Sequence, residues 1–230
     1  MENLKNEILD YFKDLSFNEK YHKYSLPDPS IYLPSVSGVL KKHVPDTDFK
    51  KLAYYVARKE NRTVEEVIAE WDKKRDDAAA DGTRVHKYAE DYDGTQEPNC
   101  EKTKLVKHYY DTLPENIVVL IKELRMYHKD FMYAGTADLI LLNTDTGNLI
   151  IGDFKTNKDL DKSYNTLLAP LHNFSDSAYN KYQLQLNYYQ LMLEQTGYTV
   201  EDRQLIWLNP EDYQIRSCED LTERLLNCFN

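Results

Sequence analysis

Two apolar runs joined by a polar connector constrain the fold of this chain more than any other feature. The runs are ADLILL at 137–142 and NLIIGD at 148–153, and the connector NTDTG at 143–147 has the residue types of a hairpin turn. A further apolar stretch at 117–124 precedes them. The sequence therefore predicts a strand-rich region with a β-hairpin at its centre.

Each arm of this hairpin carries an acid. Pairing Leu142 with Asn148 places Asp138 opposite Gly152, or opposite Asp153 if the register slips by one residue. Two carboxylates at that separation repel each other and are costly to bury unless a cation lies between them. Mg²⁺, a hard divalent ion with oxygen ligands, resolves that repulsion. The hairpin therefore predicts a metal site.

Lys155 follows Asp153 by two residues, so both side chains lie on the same side of a strand. Beside a metal, this lysine could hold a water molecule or stabilise charge that develops on a phosphate. An ordinary ion pair between Asp153 and Lys155 at a strand end explains the same tripeptide. This segment alone leaves both interpretations open.

Two helical segments place polar side chains four residues apart, on one helix face. His86 and Glu90 lie in GTRVHKYAE, where an imidazole and a carboxylate can complete a metal site. A half-buried histidine beside a surface glutamate is the alternative. Gln185 and Tyr189 lie in the apolar segment QLQLNYYQLML, where a buried glutamine needs a hydrogen-bond partner. A tyrosine that only fills the core is the alternative for Tyr189.

The remaining sequence alternates helical and extended segments. Helices are predicted at 2–15, 36–42, 48–60, 63–92, 101–112, 180–196 and 219–228, and two more strands at 203–208 and 212–216. Gly82 is expected to break the helix that begins with the capping box of Thr63 and Glu66. A long polar loop at 157–179 suggests a working role.

This pattern predicts an α/β fold, with a central mixed β-sheet flanked by α-helices, in a single domain. Within it, 1–60 is expected to be an N-terminal helical and loop extension, 80–216 the core, and 217–230 a C-terminal helix.

Composition limits the possible partners without deciding among them. The formal net charge of −10 argues weakly against a polyanionic partner, but the 19 tyrosines can stack on bases. The 3 cysteines lack metal-ligand spacing and indicate reduced thiols in an intracellular protein. No apolar stretch approaches about 18 residues, so we expect no membrane partner and a cytoplasmic location.

Four motifs occur together and in order: GT-x-x-H-x-x-x-E at 82–90, G-x-x-D at 135–138, D-x-K at 153–155 and Q-x-x-x-Y at 185–189. In this respect the chain resembles the PD-(D/E)XK nuclease superfamily, and within it the phage-type, RecB-like exonucleases. The resemblance runs from about Tyr21 to Met192 and implies a restriction-endonuclease-like core. Each motif is weak alone, whereas the four in order are specific.

The resemblance implies a metal site and its chemistry. Asp138 and Asp153 would hold Mg²⁺ or Mn²⁺, helped by the backbone carbonyl of Phe154. His86 and Glu90 would lie in the metal shell or just outside it.

The resemblance also assigns roles around the metal. Lys155 would position or activate the attacking water. Gln185 and Tyr189 would line the site and orient that lysine or the DNA backbone. Many relatives carry Glu at the position of Asp153. The aspartate is shorter than a glutamate but can still ligate a metal.

As a partner the resemblance implies DNA, single- or double-stranded, cleaved by an exonuclease of phage recombination, repair or processing in a bacterial host cell. Ser35, Lys158, Lys181 and Tyr182 would contact the DNA, and a single-strand annealing protein would be a possible partner. For these four residues, capping, solvent exposure and ordinary packing are the alternatives. An endonuclease and a DNA-binding module without turnover also remain open, as does the oligomeric state.

Overall fold

The computed structural model of the chain describes residues 1–28, 30–209 and 211–229. Its helices are α1 (Glu2–Tyr11), α2 (Val36–Lys41), α3 (Phe49–Glu60), α4 (Val64–Asp91), α5 (Glu101–Asp111), α6 (Ala178–Leu193) and α7 (Thr222–Leu226). Its strands are β1 (Ser16–Asn18), β2 (Lys23–Ser25), β3 (Tyr32–Leu33), β4 (Ile117–His128), β5 (Tyr133–Asn143), β6 (Leu149–Lys155), β7 (Val200–Leu208) and β8 (Tyr213–Ser217). In these residues no helix is both long and apolar enough to cross a membrane.

The central sheet has five strands in the order β4-β5-β6-β7-β8. Strands β6 and β7 run parallel, because the long loop and α6 carry the chain back to the same end of the sheet, and the other neighbours are antiparallel. The prediction of an α/β fold with a central mixed sheet and flanking helices is therefore confirmed.

Both faces of this sheet are covered, which explains why its strands read as continuous apolar runs. Along β5, Leu139 and Leu141 pack into a core shared with α5 and the second half of α4. Ile140 and Leu142 point to the opposite face, into a larger core with α1, α2 and α6. Because side chains alternate along a strand, residues two apart in the hairpin share a face, and the charged residues follow the same rule.

Helix α6 is buried on most sides, and its buried Asn187 is hydrogen-bonded through both ends of its amide. Asn187 is fully buried; its amide donates to the carbonyl of Gln183 at 2.8 Å, and its side-chain oxygen accepts from the N–H of Leu221 at 2.6 Å. These hydrogen bonds hold the C-terminal segment against α6. Helix α6 is therefore tied to the segment between β8 and α7.

Several predicted boundaries are wrong. Leu142 pairs with Leu149, not Asn148, so the hairpin has the one-residue slip that the sequence left open. The N–H of Asn143 bonds to the Asn148 carbonyl at 3.0 Å and makes these two residues the last pair before the turn. Gly82 does not break α4, which is one continuous helix of 28 residues from Val64 to Asp91. One glycine in a helix interior costs about 1 kcal/mol. That cost is small beside the burial of α4 residues on both sides of Gly82, which are Val67, Val85, Tyr88 and Ala89.

The terminal helices are shorter than predicted. Helix α1 ends at Tyr11, and residues 16–18 form β1 of a three-stranded sheet where the sequence indicates turns and short extended pieces. Helix α7 covers only Thr222–Leu226. Helix α6 begins at Ala178, two residues early, because the side chain of Ser177 accepts a hydrogen bond from the N–H of Asn180.

Gly135 lies where the backbone of β5 meets two side chains. A Cβ atom there would lie 2.6 Å from Cε1 of Tyr189 and 3.2 Å from Cγ2 of Val36. The tyrosine is 4% exposed and the valine 1%, so neither has space to move away. The glycine of the G-x-x-D motif therefore allows α6 and α2 to pack directly on β5.

We expect Gly135→Ala to lower the free energy of unfolding by about 1–3 kcal/mol, because the added methyl group overpacks this contact. Chemical denaturation of both proteins would measure it. Gly82→Ala is the matched control with the opposite sign: its Cβ meets only Thr156 Oγ1, at 3.6 Å, and alanine stabilises a helix interior by about 1 kcal/mol relative to glycine. Equal stability of Gly135→Ala and the wild type would contradict the packing argument.

Candidate metal site

Three neighbouring strands each contribute one carboxylate near the same line across the sheet: Glu123 from β4, Asp138 from β5 and Asp153 from β6. The residues on either side of Glu123 pair with the residues on either side of Asp138. The ladder between β5 and β6 ends one residue short of Asp138 and Asp153. Three acids of like charge therefore gather beside the end of the ladder between β5 and β6.

Helix α4 brings His86 against the middle acid of this row. Its Nδ1 lies 3.1 Å from Oδ2 of Asp138, and the N–H of Phe154 donates to the same oxygen at 2.9 Å. One ligand atom from each of His86, Glu123 and Asp138 lies within 4.8 Å of the others, and all three residues are partly buried. These residues form the candidate metal site.

The geometry of this group fits a divalent cation. Two ligand atoms on opposite sides of Mg²⁺ are about 4.2 Å apart, because each lies about 2.1 Å from the ion. The ligand atoms of this group lie within 4.8 Å of one another, close to that separation. Two carboxylates and one imidazole give two hard oxygen donors and one nitrogen donor, a set compatible with Mg²⁺ or Mn²⁺.

Asp153 is 2% exposed and forms an ion pair with Lys155. The atom that contacts the Lys155 ammonium is Oδ2, which has no other donor among the described residues. The Nζ of Lys155 also lies 4.4 Å from the ring centroid of Tyr182. A carboxylate oxygen can accept more than one hydrogen bond, so a metal ion or a water molecule beside this oxygen would further relieve the cost of burial.

The pKa values of these groups follow from burial and mutual repulsion. Burial, followed by the charge of Asp138, raises the pKa of Glu123 to about 7. Burial also raises the pKa of Asp153, against the opposing effect of Lys155. For His86, burial lowers the pKa, but the charge and hydrogen bond of Asp138 outweigh it, so the net pKa is raised. Crowded acids of this kind favour cation binding.

Glu90 shares the cavity of this site without joining the compact group. The cavity, of about 490 Å³, is also lined by Thr83 and Thr136. The Glu90 carboxylate is 41% exposed and forms an ion pair with Lys87 at 3.1 Å. Metal ligation by Glu90, by Asp153 and by the carbonyl of Phe154 stays a prediction.

The Q-x-x-x-Y motif forms a hydrogen-bonded pair. The Nε2 of Gln185 donates to the hydroxyl of Tyr189 at 2.6 Å. Burial raises the pKa of Tyr189 far above its usual value, and the charge of Asp153 adds to that effect. The tyrosine is therefore a neutral group, positioned between α6 and the acids of the sheet.

The residues predicted to contact DNA lie around the site in different settings. Lys181 pairs with Asp176 at 2.7 Å, and Tyr182 donates to the side chain of Asn157 at 2.9 Å. Lys158 is exposed. The hydroxyl of Ser35 accepts from the N–H of Gly38 at 3.1 Å and caps α2. Lys181 and Tyr182 line a second cavity together with Gln185.

Glu123 is the site residue that the sequence interpretation missed. It lies in a strand whose pairing with β5 shifts register between Val119 and Ile121, and its own φ is +51°. A left-handed conformation is uncommon for a residue with a side chain and is often found at functional sites. The available signal was an acid within the apolar stretch that leads into the hairpin.

No protein-family model matches this sequence, and no curated protein matches it either. Among solved structures, one described as "Crystal structure of SSO0001" is similar over 84% of this chain and 80% of its own, with 15% sequence identity and a TM-score of 0.33. A likeness at this TM-score carries no argument about function.

Proposed function

We propose that this chain is a metal-dependent deoxyribonuclease of the PD-(D/E)XK type that hydrolyses phosphodiester bonds as an exonuclease. The observation that carries the proposal is the position of Asp138. Its Oδ2 contacts His86 of the first motif and the backbone of Phe154 in the third. Three motifs that are distant in sequence therefore converge on one carboxylate.

The proposed residues have separate roles. His86, Glu123 and Asp138 would hold Mg²⁺ or Mn²⁺, with Asp153 beside them. When bound, such an ion supplies Lewis-acid stabilisation of charge on a phosphate and a nucleophile at neutral pH. The rest of the chemistry belongs to the side chains of the chain itself.

Lys155 is the group that faces a developing negative charge. Its ammonium is 12% exposed and is paired with Asp153, and the charges of Asp153 and Asp138 outweigh burial to raise its pKa. It therefore stays protonated at neutral pH and can donate hydrogen bonds to a phosphate oxygen or hold a water molecule. The pair of Gln185 and Tyr189 fixes the wall of the site beside it.

The direct test is digestion of end-labelled linear DNA and of closed circular DNA with a series of Mg²⁺ and Mn²⁺ concentrations. We expect cleavage of the linear DNA, dependent on the metal, and no opening of the circle. An opened circle would favour an endonuclease. DNA binding without cleavage in either metal would favour an accessory module of the same fold. A protein that binds neither the linear nor the circular DNA would overturn the proposal.

A role in phage DNA recombination or repair, beside a single-strand annealing protein, belongs to the same proposal. It is supported only by the four sequence motifs. Co-purification with a candidate annealing protein would test it separately from the cleavage assay.

A further inference from the structure

Helix α3 carries an exposed surface that is both basic and aromatic. Its large apolar residues are exposed: Phe49 by 65%, Leu52 by 46%, Tyr54 by 52% and Tyr55 by 57%. Its exposed cations are Lys50, Lys51, Arg58 and Lys59. On a chain with a net charge of −10, this helix is a local concentration of positive charge.

The positive charge of α3 is not used within the protein. Among the described residues, no ion pair involves any of its four cations. The single acid of the helix, Glu60, pairs with Arg62 outside it, at 2.9 Å. The surface is therefore free to meet a polyanion.

The aromatic rings are also not needed for packing. Helix α3 contacts the first half of α4 through its small residues Ala53 and Ala57, which form a separate core with Val67. The rings of Tyr54 and Tyr55 contact each other edge to face, with centroids 5.8 Å apart, on the outer side. They present faces on which bases can stack.

Helix α4 connects this surface to the metal site along one face. Ile68 and His86 are eighteen residues apart, about five turns at 3.6 residues per turn, so they point in the same direction. The distance along the helix is about 27 Å at a rise of about 1.5 Å per residue. A strand stacked as in a duplex, at about 3.4 Å per nucleotide, covers it with about 8 nucleotides, and a more extended unpaired strand needs fewer.

Open cavities follow that face of α4 in succession. One of about 580 Å³ lies between α3 and α4, lined by Phe49, Ile68 and Trp71 among others. The next, of about 760 Å³, reaches from Lys74 to Lys158 in the loop after β6. The third is the cavity of the metal site.

The acids along this path are largely neutralised. Asp72 pairs with Arg75 at 2.6 Å, and Asp81 pairs with Lys102 at 2.7 Å. The middle of the path is therefore close to charge balance, whereas the net positive charge lies on α3. A polyanion would be held at the α3 end.

We propose that α3 binds an unpaired DNA strand whose terminus lies in the metal site. The placement of the terminus rests on the proposed function. Cations would neutralise its phosphates, and Tyr54 and Tyr55 would stack on its bases. An unpaired strand fits this surface better than a duplex, because the bases of a duplex already stack on one another.

The test is fluorescence anisotropy in EDTA, with a labelled oligothymidylate of about 20 nucleotides, longer than the about 8 that span the path. We expect Tyr54→Ser/Tyr55→Ser to raise Kd about tenfold or more, because two stacking platforms are lost. Tyr54→Phe/Tyr55→Phe keeps both rings and is expected to leave Kd unchanged. Circular dichroism checks that each variant is folded.

The contribution of charge is measured separately. Lys50→Gln/Lys51→Gln is expected to reduce the slope of log Kd against log salt by about 1.4, at about 0.7 per phosphate of a single strand. Lys5→Gln/Lys13→Gln on and just after α1 removes the same charge elsewhere and should leave the slope unchanged.

Three results would overturn the inference: equal binding by the Ser variant and the wild type, equal loss in the Phe and Ser variants, or preference of α3 for duplex DNA. Light scattering gives a fourth, since self-association abolished by the Ser variant would assign α3 to a second copy of this chain. These measurements need no turnover. If the α3 substitutions leave Kd unchanged while the wild type cleaves DNA, this inference alone is rejected. If the α3 substitutions raise Kd while the wild type does not cleave DNA, the proposed nuclease alone is rejected.

Discussion

Asp138→Asn is expected to lower the rate of DNA cleavage by about 10²- to 10³-fold while the protein stays folded. The amide has the shape of the carboxylate and still accepts the hydrogen bond from the N–H of Phe154. It removes the negative charge that faces His86 and that a cation would share with Glu123. The measurement is the initial rate on linear DNA at saturating Mg²⁺ or Mn²⁺.

A second measurement separates metal binding from turnover. Mn²⁺ at about 100 times its Kd stabilises a protein by about 2.7 kcal/mol, and we expect that shift in the wild type but not in Asp138→Asn. Asp130→Asn, an exposed acid in the turn between β4 and β5, is the matched control and should match the wild type in both assays. Wild-type cleavage by folded Asp138→Asn would remove Asp138 from the site.

The hairpin was predictable because its signals are local. The apolar runs and the turn residues at 143–147 define two buried strands whatever the rest of the chain does. The sequence left two registers open, one residue apart, because the choice depends on how the backbone of Asn143 bonds across the turn. That one residue decides whether Asp138 is next to Gly152 or next to Asp153.

Glu123 shows what the sequence could not supply. Its place in the site depends on the register shift earlier in β4 and on its left-handed backbone, and neither has a periodic signature. An acid in an apolar stretch also fits a solvent-facing strand position. Its neighbours in the site come from other strands and from α4, so only the tertiary structure reveals them.

Helices α3 and α4 show a related limit. The composition at 48–60 predicts a helix, and that helix is present. The pattern does not tell which face is covered, because Tyr and Leu are as common in cores as at binding surfaces. The exposure of Tyr54 and Tyr55 follows from the small residues by which α3 packs on α4.

Lys155→Met is expected to abolish most cleavage and, unlike Asp138→Asn, to destabilise the fold by about 3 kcal/mol at neutral pH in EDTA. Methionine keeps an unbranched chain of similar size but leaves Asp153, which is 2% exposed, without its cation. Chemical denaturation across a pH series measures the effect. A variant as active and as stable as the wild type would show that the pair has no role.

The sign of the pH dependence follows from the pKa of Asp153, which burial already raises to about 6. Loss of Lys155 raises it further, whereas the unfolded carboxyl has a pKa of about 3.9. The deficit of Lys155→Met relative to the wild type is therefore present above the raised pKa and fades as the pH falls to about 6, below which Asp153 is protonated in both folded proteins. Lys155→Met/Asp153→Asn removes both charges, so it should recover most of the stability at neutral pH and remain inactive. A deficit that is independent of pH, or that persists in the double variant, would assign it to lost packing of the lysine chain against Tyr182.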